Sequence, residues 1–138
     1  MYKRIRQRLD GNNEQGFTLI ELLVVIIIIG ILLAIAVPSY LGFRDRAANN
    51  AAKANLRAAI PSAEAYFADD APAGGGGSYV GMTPAKLVAI DSGLSNTLTV
   101  AAVTATTYCL TDTVSGKTWS VAGPGAATTD FHNSANCT

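Results

Sequence analysis

The hydrophobic and polar positions divide this chain into an apolar segment, an amphipathic segment and a mixed C-terminal part. Residues 17–37 read FTLIELLVVIIIIGILLAIAV and contain one ionisable side chain, Glu21, and one weakly polar one, Thr18. At about 1.5 Å per residue, a helix of this length would measure roughly 31 Å, close to the hydrocarbon thickness of a bilayer. It has no polar face and exceeds the usual helix length of about 11–12 residues. The pattern therefore predicts a membrane-spanning helix rather than a soluble core helix.

The residues before the apolar segment form a basic leader, residues 1–16. Its four cations oppose Asp10 and Glu14, which gives a formal charge of +2. The positive-inside rule keeps such a leader in the cytoplasm and sends the residues after Val37 across the membrane. A conventional secretory signal is the alternative, since Ala34–Ala36 resembles a cleavage site, but its apolar run would span only about 7–15 residues.

Glu21 is the unusual residue of the apolar segment. An acidic side chain near the centre of a membrane helix costs about 2.5–3.5 kcal/mol on insertion scales, and less near the interface. One interpretation is a carboxylate that reaches interfacial water. The other is that cleavage between Gly16 and Phe17 creates an α-amino group four residues from Glu21. That amine would pair with Glu21 within one helix or with Glu21 of a neighbouring helix.

The segment Gly16-Phe17-Thr18-Leu19-Ile20-Glu21 resembles the class III signal of type IV pilins and their pseudopilin relatives. The resemblance covers about residues 11–60. It implies that a membrane peptidase cuts after Gly16 and methylates Phe17, and that Glu21 sets the register between subunits during assembly. It also implies a structural subunit of a homo-oligomeric helical filament, assembled by a platform and an ATPase. The subunit would sit in the cytoplasmic membrane with its N-terminus inside, and then in a cell-surface pilus.

Three other interpretations stay open at this stage. Within the family, the chain is a pseudopilin of a type II secretion system or a subunit of a DNA-uptake system. Outside it, the chain is a single-pass membrane-anchored binding module that never polymerises. The sequence does not choose among adhesion, motility, DNA uptake, secretion and electron transfer.

Residues 17–38 and 39–68 are predicted to form two halves of one long helix. Alanine, the best helix former, is abundant in the second half. Its apolar positions recur at helical spacing and predict the face that packs on the rest of the protein: Leu56, Ile60, Ala63 and Phe67. Pro38 and Pro61 each remove a backbone donor and are expected to kink the helix.

A glycine-rich connection, residues 69–96, follows the helix. Gly74–Gly77 lack the lysine of a phosphate-binding loop, so no nucleotide site is expected. A short helix is predicted over Thr83–Ile90, with Thr83 as its cap, Pro84 at its first position and Gly93 closing it.

The last part, residues 97–138, is predicted to form an antiparallel sheet and a Cys-bounded loop. The strand candidates are Thr97–Val103, Thr106–Val114 and Lys117–Ala122, and Ser115-Gly116 is a hairpin turn. The fold class is therefore α+β: a long N-terminal helix packed on three or four strands. Trp119, Tyr108 and Phe67 are expected to be buried in the core.

Cys109 and Cys137 both lie in the exported part, where an oxidising compartment allows a disulfide. The C-terminal disulfide-bounded region of type IV pilins supports the same pairing and favours a pilin over a pseudopilin. His132, near Asp130 and Ser134, is interpreted as a loop residue, and no catalytic or metal-binding motif is found. No enzyme activity and no cofactor are therefore expected. Ten cations balance ten anions, so the charge does not indicate a nucleic-acid partner.

Overall fold

The computed structural model describes residues 16–71, 74–125 and 130–137. Residues 1–15 of the predicted leader lie outside these ranges. In the described part, two helices and four strands follow one another along the chain. They are α1 (Leu19–Ala68), α2 (Pro84–Ile90), β1 (Thr99–Val103), β2 (Tyr108–Val114), β3 (Lys117–Gly123) and β4 (Phe131–His132). The α+β class expected from the sequence is confirmed.

The chain divides into two compact units between Tyr40 and Leu41. The N-terminal unit contains the apolar start of α1, whose side chains are exposed. The C-terminal unit contains the rest of α1 together with α2 and the sheet. Pro38 and Pro61 lie inside the 50-residue helix, so neither proline ends it, and their proposed kinks stay a prediction.

The sheet is antiparallel and its strands follow sequence order, β1-β2-β3-β4. Val114 pairs with Lys117 across a two-residue turn. Ser115 and Gly116 both have positive φ, 49° and 78°, as a type I′ hairpin turn requires. The hairpin predicted at these residues is confirmed.

The core of the C-terminal unit lies between one face of α1 and the sheet. Leu56 and Ala63 are fully buried, and Ile60 and Phe67 pack at the edge of the same cluster. The predicted helix face is therefore confirmed. Small alanine side chains let α1 approach the sheet closely, and larger residues fill the remaining space: Tyr66, Tyr79, Met82, Leu87, Leu94, Leu98, Tyr108, Leu110 and Val121.

Several details differ from the sequence-based expectation. His132 lies in β4, where it pairs with Ser120, and is not a loop residue. Trp119 and Phe67 are only partly buried, whereas Tyr108 is buried as expected. Thr83 caps α2 and Pro84 begins it, but the helix ends at the cap residue Asp91. Gly93 lies beyond, and its amide donates to Asp91 Oδ1 at 2.8 Å.

The glycine run closes the C-terminal end of α1. The amides of Gly75 and Gly77 donate to the carbonyls of Tyr66 and Phe67, at 2.7 and 2.8 Å. The last carbonyls of a helix have no partner within the helix, so these amides satisfy them. Gly77 has a positive φ of 84°, and a Cβ at Gly75 would overlap the Ser78 carbonyl. Glycine is therefore required here for geometry, and the turn returns the chain to the core at Tyr79.

Candidate assembly site

The first turn of α1 brings together the residues that the sequence singled out. Gly16 and Phe17 precede the helix and are exposed, Phe17 to 93%. Glu21 lies in the first turn and is also exposed. The predicted cleavage position is therefore accessible, and the predicted register residue lies one turn away from it.

Glu21 forms a capping box with Thr18. The Thr18 amide and hydroxyl both donate to Glu21 Oε2, at 2.8 and 2.7 Å. The Glu21 amide donates in return to Thr18 Oγ1 at 3.2 Å. This arrangement satisfies two backbone donors at the start of the helix, and the negative charge is favourable at that end of the helix dipole.

The role of Thr18 in this cap was not predicted from the sequence. The signal for it was present, because a Thr followed three residues later by Glu before an apolar run is a helix-start pattern. The capping box also shows which oxygen of Glu21 is available for pairing with an amine. Its Oε2 atom is held by its own chain, whereas no hydrogen bond to Oε1 is found among the described residues.

The rest of the N-terminal unit is an exposed apolar surface. Of the helices the structure describes, α1 is the one long and apolar enough to cross a membrane, and none of its apolar window is buried. Large aliphatic side chains are exposed on every side of the helix. Because soluble monomers rarely expose a continuous apolar surface of this extent, it indicates lipid or other apolar helices as neighbours.

The C-terminal unit holds its sheet to α1 by polar contacts as well as by the core. Four residues of α1, each four positions after the last, contact side chains of β3 and β4. The pairs are Asp45 with Lys117 (3.0 Å), Asn49 with the Trp119 indole N–H (2.9 Å), Lys53 over the Trp119 ring (3.8 Å) and Arg57 over the Phe131 ring (5.1 Å). We call this row the α1–β3 seam.

A second polar contact lies in the core. Glu64 of α1 accepts a hydrogen bond from the Tyr79 hydroxyl at 2.8 Å and from the Tyr108 hydroxyl at 3.1 Å. Burial, together with the neighbouring Glu64 carboxylate, raises the pKa of Tyr79 and of Tyr108 well above its ordinary value. One carboxylate thus joins α1, the loop before α2 and strand β2.

A third polar contact closes the sheet against α1 near β1. Asp112 is 1% exposed and accepts hydrogen bonds from Asn55 at 2.8 Å and from Thr97 at 2.6 Å. Buried carboxylates are stable only where such donors surround them. In the part of the chain described here, no group of three or more His, Cys, Asp or Glu side chains is placed to hold a metal ion.

The cysteine pair ties the C-terminal segment to the sheet. Cys109 of β2 is joined to Cys137 by a disulfide, with α-carbons 5.9 Å apart. The Ser120 hydroxyl on β3 donates to the Asn136 carbonyl at 2.7 Å. The pairing expected from the sequence is therefore present, and the segment after β4 lies against β2 and β3.

Comparison with known proteins decides the family. The model for the prokaryotic N-terminal methylation motif matches residues 11–37. A type IV wide pilus major component, PilA4 of Thermus thermophilus, is 36% identical over 118 residues, which cover 81% of this chain and 83% of the relative. The chain belongs to the type IV pilin family.

Two other relatives match less than half of this chain. The type IV major pilin protein PilA of Myxococcus xanthus is 45% identical over 56 residues, or 41% of this chain and 26% of that protein. The type II secretion system core protein G of Pseudomonas aeruginosa is 39% identical over 62 residues, or 45% of this chain and 44% of that protein. The matched residues of this pilin therefore cover less than half the length of either of these two relatives.

Proposed function

We propose that this pilin is a structural subunit that is cut after Gly16, methylated at Phe17 and polymerised into a type IV pilus-like filament outside the cytoplasmic membrane. The observation that carries the proposal is the geometry at Glu21. Its Oε2 is held by Thr18, and its Oε1 is left to accept a cation. Cleavage after Gly16 supplies that cation as the α-amino group of Phe17.

The capping box favours pairing between chains over pairing within one chain. Within one chain, the Thr18 amide already donates to Glu21 Oε2, so an amine of the same helix would compete with it for the carboxylate. An amine from a second helix has open access to Oε1, because Glu21 is exposed. One acid and one amine per subunit would give a single axial offset between neighbours, which is the register a helical filament needs.

The subunit is first held in the membrane and is then assembled into the filament. The basic leader stays in the cytoplasm and the exposed apolar part of α1 holds the subunit in the membrane. A prepilin peptidase then removes the leader, and an assembly platform with its ATPase moves the subunit into the filament. In the filament, apolar helices of other copies replace the lipid around α1.

A pseudopilin of a type II secretion system is the second candidate, and the secretion relative supports it. The pilus interpretation is favoured because the wide-pilus relative matches across most of the chain. The disulfide-bounded C-terminal segment supports the same choice by resemblance to type IV pilins.

The test is Glu21→Val in cells that produce the full chain. We expect normal membrane insertion and leader removal, but at least a tenfold loss of sheared filaments seen by electron microscopy and immunoblot. Ile20→Val, an apolar change in the same turn, is the matched control and leaves the yield unchanged. Normal filament yield from Glu21→Val would contradict the register role, and a wild-type chain that never forms filaments would support the anchored binding module.

A second test addresses processing. Mass spectrometry of the native protein should find an N-terminal methylated Phe17. Substitution of Gly16 by a bulky residue should leave a longer, unprocessed membrane form. Cleavage of that variant at the same bond would contradict the proposed recognition of Gly16.

A further inference from the structure

The charges of the C-terminal unit are separated along α1. Arg44 and Arg46 lie near the start of this part of the helix, and Asp69 and Asp70 follow its last residue, Ala68. At 1.5 Å per residue, Arg46 and Asp69 are separated by about 35 Å along the helix. All four side chains are exposed.

The two aspartates are in an unfavourable position for a single subunit. Negative charge at the C-terminal end of a helix is repelled by the helix dipole, and cations are favoured there. The last turn of α1 has no basic residue. Among the described residues, the Asp69 side chain accepts a hydrogen bond only from the Ala71 amide, at 2.9 Å, and the Asp70 side chain has no partner. Local violations of this kind often mark functional positions.

The two arginine side chains likewise have no partner in the part of the chain that the structure describes. Asp45, which lies between them, forms an ion pair with Lys117 at 3.0 Å, so its charge is already balanced. Neither the Arg44 nor the Arg46 side chain forms an ion pair or hydrogen bond with a residue in the described ranges. The unit therefore has an unbalanced positive end and an unbalanced negative end.

We infer that these two ends meet between copies: Arg44 and Arg46 of one subunit pair with Asp69 and Asp70 of another. The inference rests on the proposed function, because it requires a filament. Complementary charges fix register and exclude wrong alignments more than they add affinity. The pairing requires two contacting copies displaced by about 35 Å along α1. It sets a second register contact, in the C-terminal unit rather than at Glu21.

Charge reversal with rescue tests the pairing in cells that make the full chain. We expect Arg46→Glu and Asp70→Arg, each alone, to lower the yield of sheared filaments at least fivefold. The double variant should return to at least half of the wild-type yield. Ser92→Arg adds a cation at an exposed position elsewhere in the same unit and is the control, with a yield within twofold of wild type. Non-reducing gels that show the Cys109–Cys137 disulfide establish that each variant folds.

The outcomes distinguish failure of the charge pairing from failure of the proposed function. Single reversals that fold and assemble normally, or a folded double variant that stays as defective as either single, overturn the pairing while wild-type filaments uphold the proposed function. If Arg46→Glu lowers the membrane-bound fraction and Asp70→Arg does not correct it, the arginines bind anionic lipid headgroups and the pairing is overturned. If wild type forms no filaments, the proposed function itself fails.

A cross-linking readout gives an independent result. Arg46→Cys combined with Asp70→Cys, treated with a short bis-maleimide, should produce a ladder of covalent oligomers from intact filaments. Each cysteine alone should give no product beyond a dimer. Absence of the ladder from filaments visible by electron microscopy contradicts the pairing.

Discussion

Tyr108 and Gly123 lie opposite each other on β2 and β3, and the tyrosine ring occupies the space where a side chain at Gly123 would begin. The ring lies across the neighbouring strand because nothing projects from that position. Its hydroxyl then reaches Glu64 of α1 at 3.1 Å. The absence of one Cβ on β3 thus permits a hydrogen bond between the sheet and the helix.

Gly123→Ala should therefore destabilise the C-terminal unit. The added methyl group would overlap the Tyr108 ring, and overpacking of this kind costs about 1–3 kcal/mol. Urea unfolding of the full chain in detergent, followed by the fluorescence of Trp119, the single tryptophan, measures the change. Gly42→Ala is the control. It has open space around its Cβ in α1, so it should leave stability unchanged or raise it by up to about 1 kcal/mol.

The two tyrosines that donate to Glu64 predict a loss of stability at alkaline pH. Their pKa values are raised in the folded state, first by burial and then by Glu64, above the unfolded value of about 10. Their contribution is complete below pH 10. Above it, the unfolded chain releases protons that the folded chain keeps, so the free energy of unfolding falls by up to about 1.4 kcal/mol per pH unit for each tyrosine.

The measurement is urea unfolding at several pH values from 8 to about 11. Tyr108→Phe removes one of the two titrating groups and should roughly halve the slope above pH 10. A free energy of unfolding that stays constant between pH 10 and 11 would show that the tyrosines ionise equally in both states. The hydrogen-bonded arrangement around Glu64 would then be wrong.

The disulfide should be the largest single covalent contribution to stability. The closed loop has a sequence separation of 28 residues, for which loop-entropy estimates give about 3–4 kcal/mol. Cys109→Ser with Cys137→Ser should lower the urea midpoint accordingly, and reductant should do the same to wild type but not to the variant. Equal midpoints for wild type with and without reductant would indicate that the Ser120–Asn136 contact and β4 hold this segment alone.

Much of the fold follows from local sequence patterns, and the exceptions have physical reasons. The apolar run, the Thr83-Pro84 start of α2 and the Ser115-Gly116 turn each depend on neighbouring residues. β4 was missed because two residues, Phe131 and His132, are too short to show alternation. The Glu64 contact was missed because Tyr108 lies 44 positions away, and no periodicity links them.

The candidate site, too, could be predicted from the sequence only in part. The signal around Gly16, Phe17 and Glu21 is a contiguous motif, so the sequence alone indicates it. The glycine run was interpreted only as a loop, because its role as a cap for α1 depends on how the chain returns after Ser78. The α1–β3 seam needs both the helical spacing of four and the position of Trp119 on β3, and the second is set by sheet register.

The seam predicts a small but specific effect at Trp119. Lys53→Met keeps an unbranched apolar stem but removes the ammonium group that lies 3.8 Å from the ring centroid. Cation–π contacts at partly exposed sites contribute about 0.5–1 kcal/mol, so the free energy of unfolding should fall by that amount. The emission of Trp119 should change in the folded state only. Arg57→Met, over Phe131 instead, should leave that emission unchanged.

The capping box predicts that Thr18 controls the order of the first turn of α1. Thr18→Ala removes the hydroxyl that bonds both Glu21 Oε2 and the Glu21 amide, and loss of such a cap costs about 1 kcal/mol. Amide exchange at residues 19–22 of the full chain in detergent should therefore become about fivefold faster. Thr18→Ser retains the hydroxyl and should exchange like wild type. If Thr18→Ala exchanges at the wild-type rate, the Thr18 hydroxyl does not order the first turn, and the Thr18 amide alone holds Glu21 Oε2.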